Sequence, residues 1–175
     1  QVNLDAVLRI IQKEKGIIGR FSGTSFITFF NSSSGAINAA KSISKLKAAF
    51  PIYCSLCPAD EIVMAITGSE DHIFEATFTA SCLSLLSYIG SVASHFNAPI
   101  VATGSLIEQV SSNQPSTHLL LKFKKEDVHG KVEIEQVHQI VESVNEEYQN
   151  LITQYYSNDA NFSKLIHSWA QFTTN

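Results

Sequence analysis

The pattern of apolar and polar positions divides the chain into short helices and strands. Between Leu4 and Ile11 apolar residues recur at helical spacing. The basic Lys15 followed by Gly16 predicts the end of this helix, with the glycine as the C′ residue. Residues 17–21 and 25–30 then predict two strands around a tight turn.

The rest of the chain continues this mixture of helices and strands. It predicts, in order, a helix at about 36–50, strands at 52–56 and 61–67, an apolar helix from about 80 to 96, strands at 100–102, 119–123 and 131–140, and helices at about 142–156 and 161–172. This order predicts an α+β sandwich with helices packed on a sheet. We expect one domain over residues 1–140 and a helical extension over residues 141–175.

Composition limits the classes of function. The chain has 175 residues, 45% of them hydrophobic and 16% charged, which suits one globular domain with a substantial core. The formal net charge is −4, and the pattern contains no basic face, so we do not expect nucleic-acid binding.

A long uncharged run, from Ala76 to Ile107, requires comparison with a membrane span. Asn97, Pro99 and Gly104 interrupt it, and serine and threonine are frequent, so it predicts a buried helix and strand rather than insertion into a membrane. The charged start does not resemble a signal peptide. We expect a cytoplasmic domain, either by itself or as the cytoplasmic part of a larger membrane-anchored protein.

The three cysteines do not form a disulfide framework and fit a reducing compartment. Cys54 and Cys57 are spaced as C-x-x-C, but no second such pair exists, and in a strand their side chains point to opposite faces. We therefore expect small buried residues rather than a zinc or redox site. The six histidines also lack a metal-binding spacing, so no metal site is predicted.

Several segments, in order, carry a resemblance to a known family. They are KGIIGRFSGTSFITFF, SGAINAAKSISKL, EIVMAITGS, LSLLSYIGSVA and VHGKVEIEQVHQI, within residues 4–140. This series resembles the hairpin, alanine-rich helix, strand, signature helix and last strand of the class III adenylate and guanylate cyclase catalytic domain. The resemblance implies a ferredoxin-like βαββαβ-type sandwich with helices on a mainly antiparallel sheet.

The resemblance also assigns candidate nucleotide-binding positions. Arg20 stands where the family has a purine-reading lysine, and Thr77 where it has a purine-reading aspartate. Lys131 follows Gly130 in the turn that resembles the family's lysine-glycine-lysine turn. Thr24 follows the hairpin glycine, where catalytic halves have a metal-binding aspartate and the other half of paired cyclases has a small hydroxyl residue.

The signature helix departs furthest from the family. Ser84 replaces an asparagine, and Tyr88 replaces an arginine that stabilises the pentavalent phosphate. A tyrosine does not supply a bidentate cationic fork, and a threonine is a poor sole ligand for Mg²⁺. The family's other metal aspartate lies on a strand before the first helix. Asp5 lies on the helix and does not replace it, so we expect a central sheet position to be filled by residues outside this sequence or by another segment.

Three hypotheses follow. The first is a domain of cyclic nucleotide signalling that has lost its catalytic residues and acts as a dimerising, regulatory or purine-nucleotide-sensing pseudo-cyclase. The second is the non-metal-binding half of a heterodimeric cyclase, in which a partner supplies carboxylates and Mg²⁺ or Mn²⁺ for conversion of ATP or GTP. The third is an unrelated ferredoxin-like protein-interaction domain. Because the family builds its site between two domains, the resemblance implies a homodimer or a heterodimer with another cyclase-type domain.

Overall fold

A computed structural model describes residues 4–22, 25–67, 75–110, 115–126, 132–147 and 150. Its helices and strands follow one another along the chain in the order α1 (Leu4–Lys13), β1 (Ile17–Ser22), β2 (Ser25–Phe29), α2 (Ser33–Ser44), β3 (Cys54–Leu56), β4 (Ile62–Thr67), β5 (Glu75–Ala80), α3 (Leu83–His95), β6 (Ile100–Thr103), α4 (Gly104–Gln109), β7 (Thr117–Glu126) and β8 (Val132–Ile140). The predicted α+β class and the predicted hairpin of β1 and β2 are confirmed.

Strand pairing produces one main sheet and two hairpins. The main sheet has the order β3-β6-β8-β7, in which β3 and β6 are parallel and the other pairs are antiparallel. β1 pairs with β2, and β4 pairs with β5. In the described part of the chain no strand joins the β1–β2 hairpin to the main sheet, so none of these segments fills the expected central position.

Helices cover both faces of the main sheet. Alternate residues of β6 show this, because side chains along a strand point to opposite faces. Val101 packs in one cluster with Ile89 of α3, while Ile100 belongs to a second cluster with residues of α2 and α4. Ile89 and Val101 are both 0% exposed, and burial of each such side chain stabilises the fold by about 1.5–3 kcal/mol.

The first helix ends differently from the prediction. Lys15, not Gly16, adopts the left-handed conformation, with φ 58°. Gly16 is required for close packing instead, because a Cβ there would lie 2.6 Å from the ring of Phe30. The prediction of Gly16 as the C′ residue is therefore wrong, because this glycine instead admits the ring of Phe30.

The second helix is shorter than predicted. It begins after the N-cap Ser32, whose Oγ accepts a hydrogen bond from Gly35 N, and it ends at Ser44 rather than near residue 50. Phe50 is 79% exposed. The ring of Phe50 therefore provides no burial that would support a longer helix, and short helical extensions without such packing are not stable.

The uncharged run contains an additional strand. Residues 75–80 form β5, antiparallel to β4, and the following helix begins at Leu83 rather than near residue 80. No helix among the described segments is both long and apolar enough to cross a bilayer. At the C-terminal side, residues 142–145 are not helical, Glu146, Glu147 and Asn150 are helical, and residues 148–149 and 151–175 of the predicted extension lie outside the described residues.

Candidate functional site

A cleft of about 320 Å³ lies between β2 and β3, and we call it the β2–β3 cleft. Strand β2, the segment that leads into α2, and the segment after β3 form its walls, and α3 and α4 close it. Its lining includes Phe26–Ser33, Ala36, Ser55–Asp60, Ile62, Cys82, Leu83, Leu86, Leu106 and Gln109.

Local structure places polar groups at the rim of this cleft. Ser32 caps α2, and the hydroxyl of Ser33 lies 3.4 Å from Oε1 of Gln109 on α4. Asp60, which is exposed, is the sole charged residue among the described lining residues. Among the described lining residues there is therefore no lysine or arginine to neutralise the phosphates of a nucleoside triphosphate.

The two signature-helix positions lie outside this lining. Ser84 is exposed in the first turn of α3, while Tyr88 is only 8% exposed. The ring of Tyr88 meets that of Phe123 edge-on, with centroids 5.2 Å apart. Desolvation by burial raises the pKa of Tyr88 to about 12, so the phenol is neutral at physiological pH. Tyr88 is thus a core residue between α3 and β7.

The other predicted nucleotide-binding residues are dispersed over the hairpins. Arg20 is exposed on β1, opposite Ile27 of β2. Thr77 lies on β5, opposite Ala65 of β4. The two hairpins pack together, so the strands that carry Arg20 and Thr77 are neighbours. Thr24 and Lys131 lie outside the described residues.

The described lining of the cleft offers few ligands for the divalent cations that the resemblance implies. Mg²⁺ prefers oxygen ligands, carboxylates above all, and the two-ion mechanism of phosphoryl chemistry needs more than one of them. Asp60 is the only carboxylate in the described lining. Elsewhere in the described ranges no three histidine, cysteine, aspartate or glutamate side chains are grouped to hold a metal ion.

A buried carboxylate on β8 was missed by sequence reasoning. Glu135 is 7% exposed and accepts hydrogen bonds from Ser105 N at 3.3 Å and Ser105 Oγ at 3.0 Å, at the start of α4. The signal was present in the sequence, because the alternation that buries Val137 places Glu135 on the same face of the strand. Its partners are the N-terminal groups of a helix, which indicates a structural capping role.

Another missed feature joins two cysteines that are distant in sequence. The thiol of Cys57 lies 3.9 Å from the backbone oxygen of Cys82, 25 positions away, and both residues line the β2–β3 cleft. No local pattern in the sequence marks this pair, because the contact depends on how α3 packs against β3.

Comparison with known proteins relates the fold to one class of structures. The sequence matches no family model and has no significant match among curated proteins. Two solved structures, each titled as a bacterial light-regulated adenylyl cyclase, share the fold with TM-scores of 0.58 and 0.59 at 14% sequence identity. The likeness covers 86% of this chain but 48% of each of those chains, so this chain spans about half of their length. The chain therefore has a cyclase-like α+β fold.

Proposed function

We propose that this chain is a nucleotide cyclase-like domain of cyclic nucleotide signalling that does not catalyse cyclisation by itself. In this proposal it acts as a dimerising or regulatory pseudo-cyclase, or senses a purine nucleotide. The fold supports the assignment to cyclase-like domains. The loss of catalysis rests on the signature helix.

The burial of Tyr88 is the observation that carries the proposal. By the resemblance, this position presents an arginine to the developing charge on the α-phosphate. Tyr88 instead packs on Phe123 in the core and stays neutral at physiological pH. A neutral buried phenol does not stabilise an anionic transition state, and a phosphoryl mechanism without its cations loses most of its electrostatic catalysis.

The exposed side of α3 supports the dimer part of the proposal. Ser87 and Ser91 are exposed, and their hydroxyls donate to backbone oxygens one turn earlier in the same helix. Small side chains with satisfied hydroxyl donors leave a flat surface that a partner can cover at little desolvation cost.

Nucleotide titration tests the proposal directly. ATP and GTP, each with Mg²⁺ or Mn²⁺, are added to the purified chain while the heat of binding and the cyclic product are measured. We expect no cyclic product, and for the sensing form a binding heat that Arg20→Ala reduces. Arg9→Ala, at an exposed position on α1, is the matched control. Cyclic product formed by the isolated chain would refute the loss of catalysis.

The second hypothesis, one half of a heterodimeric cyclase, gives a different outcome in the same assay. Cyclic product would then appear only after addition of a metal-binding cyclase half. A titration with such a half separates the two hypotheses, because a regulatory module changes the activity that the partner already has, whereas a catalytic half is required for any activity.

Sedimentation velocity tests self-association. We expect a concentration-dependent dimer that Ser87→Arg weakens, because a guanidinium on the exposed side of α3 would have to be desolvated in the interface. Ser42→Arg, at an exposed position on α2, serves as the control and should leave the dimer unchanged. A monomer at all accessible concentrations would contradict the homodimer, leaving a heterodimer to be tested with the cyclase half.

A further inference from the structure

The C-x-x-C segment is divided between the two faces of the main sheet. Cys54 packs with the α1 and α2 layer, in the cluster formed by Val7, Ile11 and Ile43. Cys57 packs against the cluster built around α3. The two thiols nearest in sequence thus pack in different clusters, on opposite faces of the main sheet.

Cys57 and Cys82, in contrast, meet at the cleft. Sγ of Cys57 lies 3.9 Å from the backbone oxygen of Cys82, and both residues are half-buried. Cys82 occupies the N-cap position of α3 without a side-chain capping hydrogen bond. Its side chain is therefore not committed to the helix, and it can rotate about the Cα–Cβ bond.

We infer that Cys57 and Cys82 form a reversible disulfide, which makes the rim of the β2–β3 cleft sensitive to the thiol–disulfide balance. One thiolate attacks a sulfur of a low-molecular-weight disulfide such as glutathione disulfide, forming a mixed disulfide and releasing one glutathione. The second cysteine thiolate then attacks the protein sulfur of that mixed disulfide and releases the second glutathione. The two cysteines lose two protons and two electrons in total, and one glutathione disulfide becomes two glutathione molecules.

The bond would connect the segment after β3 to the residue that precedes α3. The segment between the two cysteines contains both strands of the β4–β5 hairpin, so the bond closes a loop around that hairpin. Closure of such a loop restricts the unfolded chain and raises thermal stability. It also fixes Cys57 and its neighbours in the cleft wall relative to the start of α3.

Peptide mapping after redox equilibration tests the inference. The purified chain is equilibrated at pH 8 with increasing ratios of oxidised to reduced glutathione, free thiols are blocked with N-ethylmaleimide, and the chain is cleaved after glutamates. Cleavage after Glu61 and Glu75 separates the peptide with Cys54 and Cys57 from the peptide with Cys82. We expect the two peptides to be linked under oxidising ratios and separated again by excess glutathione.

Three serine variants assign the bond. The linkage should persist in Cys54→Ser and disappear in Cys57→Ser and Cys82→Ser. Fragment ions of the linked wild-type peptide locate the sulfur as well, so the assignment does not depend on the folding of a variant. Oxidised wild-type chain should also melt roughly 5 °C or more above the reduced chain.

Other products of the same experiment would overturn the inference. These are a bond between Cys54 and Cys57, a linkage that survives in Cys57→Ser, or glutathione adducts that never resolve to a protein disulfide at any ratio. An oxidised chain with the predicted linkage but a lower melting temperature would show that the bond strains the native state, which contradicts the expected stabilisation by loop closure.

Discussion

Replacing Tyr88 with arginine restores the residue that the cyclase resemblance expects, and we predict that it destabilises the protein without conferring activity. The reason is the environment of the side chain, which is 8% exposed and packs edge-on against Phe123. An arginine there would place a guanidinium among apolar groups between α3 and β7.

The magnitude follows from two contributions. Loss of the aromatic pair costs about 0.5–1.5 kcal/mol. An unpaired charge in the core costs several kcal/mol, although extension of the long side chain towards solvent reduces this. We expect a total of about 4 kcal/mol, which is a large fraction of the roughly 5–15 kcal/mol that stabilises a typical domain.

Urea unfolding followed by circular dichroism measures this effect, and two variants serve as controls. Ser84→Arg introduces the same charge one turn earlier on the exposed side of α3 and should change the free energy of unfolding by less than about 0.5 kcal/mol. Tyr88→Phe retains the ring and its packing on Phe123 and should therefore destabilise the protein much less than Tyr88→Arg. If Tyr88→Arg cost less than about 1 kcal/mol, the side chain would reach solvent, and the argument for lost catalysis would fail.

Three further predictions concern the packing and the titrating groups. Gly90→Ala should stabilise α3 by about 0.5 kcal/mol, because alanine has a higher helix propensity than glycine. The added Cβ would lie 3.4 Å from Ser55 Oγ, and a lower melting temperature would show that Ser55 cannot move to accommodate it. Burial raises the pKa of Cys54 from 9.0 to about 11, so at pH 8 its thiol should react with a maleimide about 100-fold more slowly than an ordinary thiol. Equal reaction rates for all three cysteines would contradict this prediction. Burial, opposed by Glu135, lowers the pKa of His138 below 6.5. The unfolded chain therefore binds the proton more readily, and the free energy of unfolding should fall as the pH drops below about 6.5. The urea midpoint should change less between pH 7 and pH 5 in His138→Gln than in the wild-type chain, and an equal change would assign the effect to another group.

The candidate site shows how far a family resemblance extends in a divergent chain. The segments that resemble a cyclase are arranged in a cyclase-like fold, although sequence identity to the two solved structures is only 14%. Of the positions expected to act on the nucleotide, Arg20, Ser84 and Tyr88 do not line the β2–β3 cleft. Because backbone architecture depends on the hydrophobic pattern, whereas catalysis depends on particular side chains, the first can persist after the second is lost.

Local patterns in the sequence predicted most of the helices and strands. The hairpin of β1 and β2 and the final strand were predicted because a period of two residues is visible without tertiary information. The same alternation already contained the burial of Glu135 beside Val137. The predicted end of α2 was wrong, because Phe50 is exposed and its burial does not support a helix that extends to residue 50.

The sequence by itself thus determined the α+β class of the fold and the place of most of its elements, but not β5 or α4. Only the tertiary structure decided that residues 75–80 pair with β4, that Tyr88 is core, and that Cys57 meets Cys82 rather than Cys54. The physical reason is that periodicity and capping act over a few residues and can be recognised along the chain. Which surfaces meet across the sheet depends on the packing of α3, whose partners are distant in sequence.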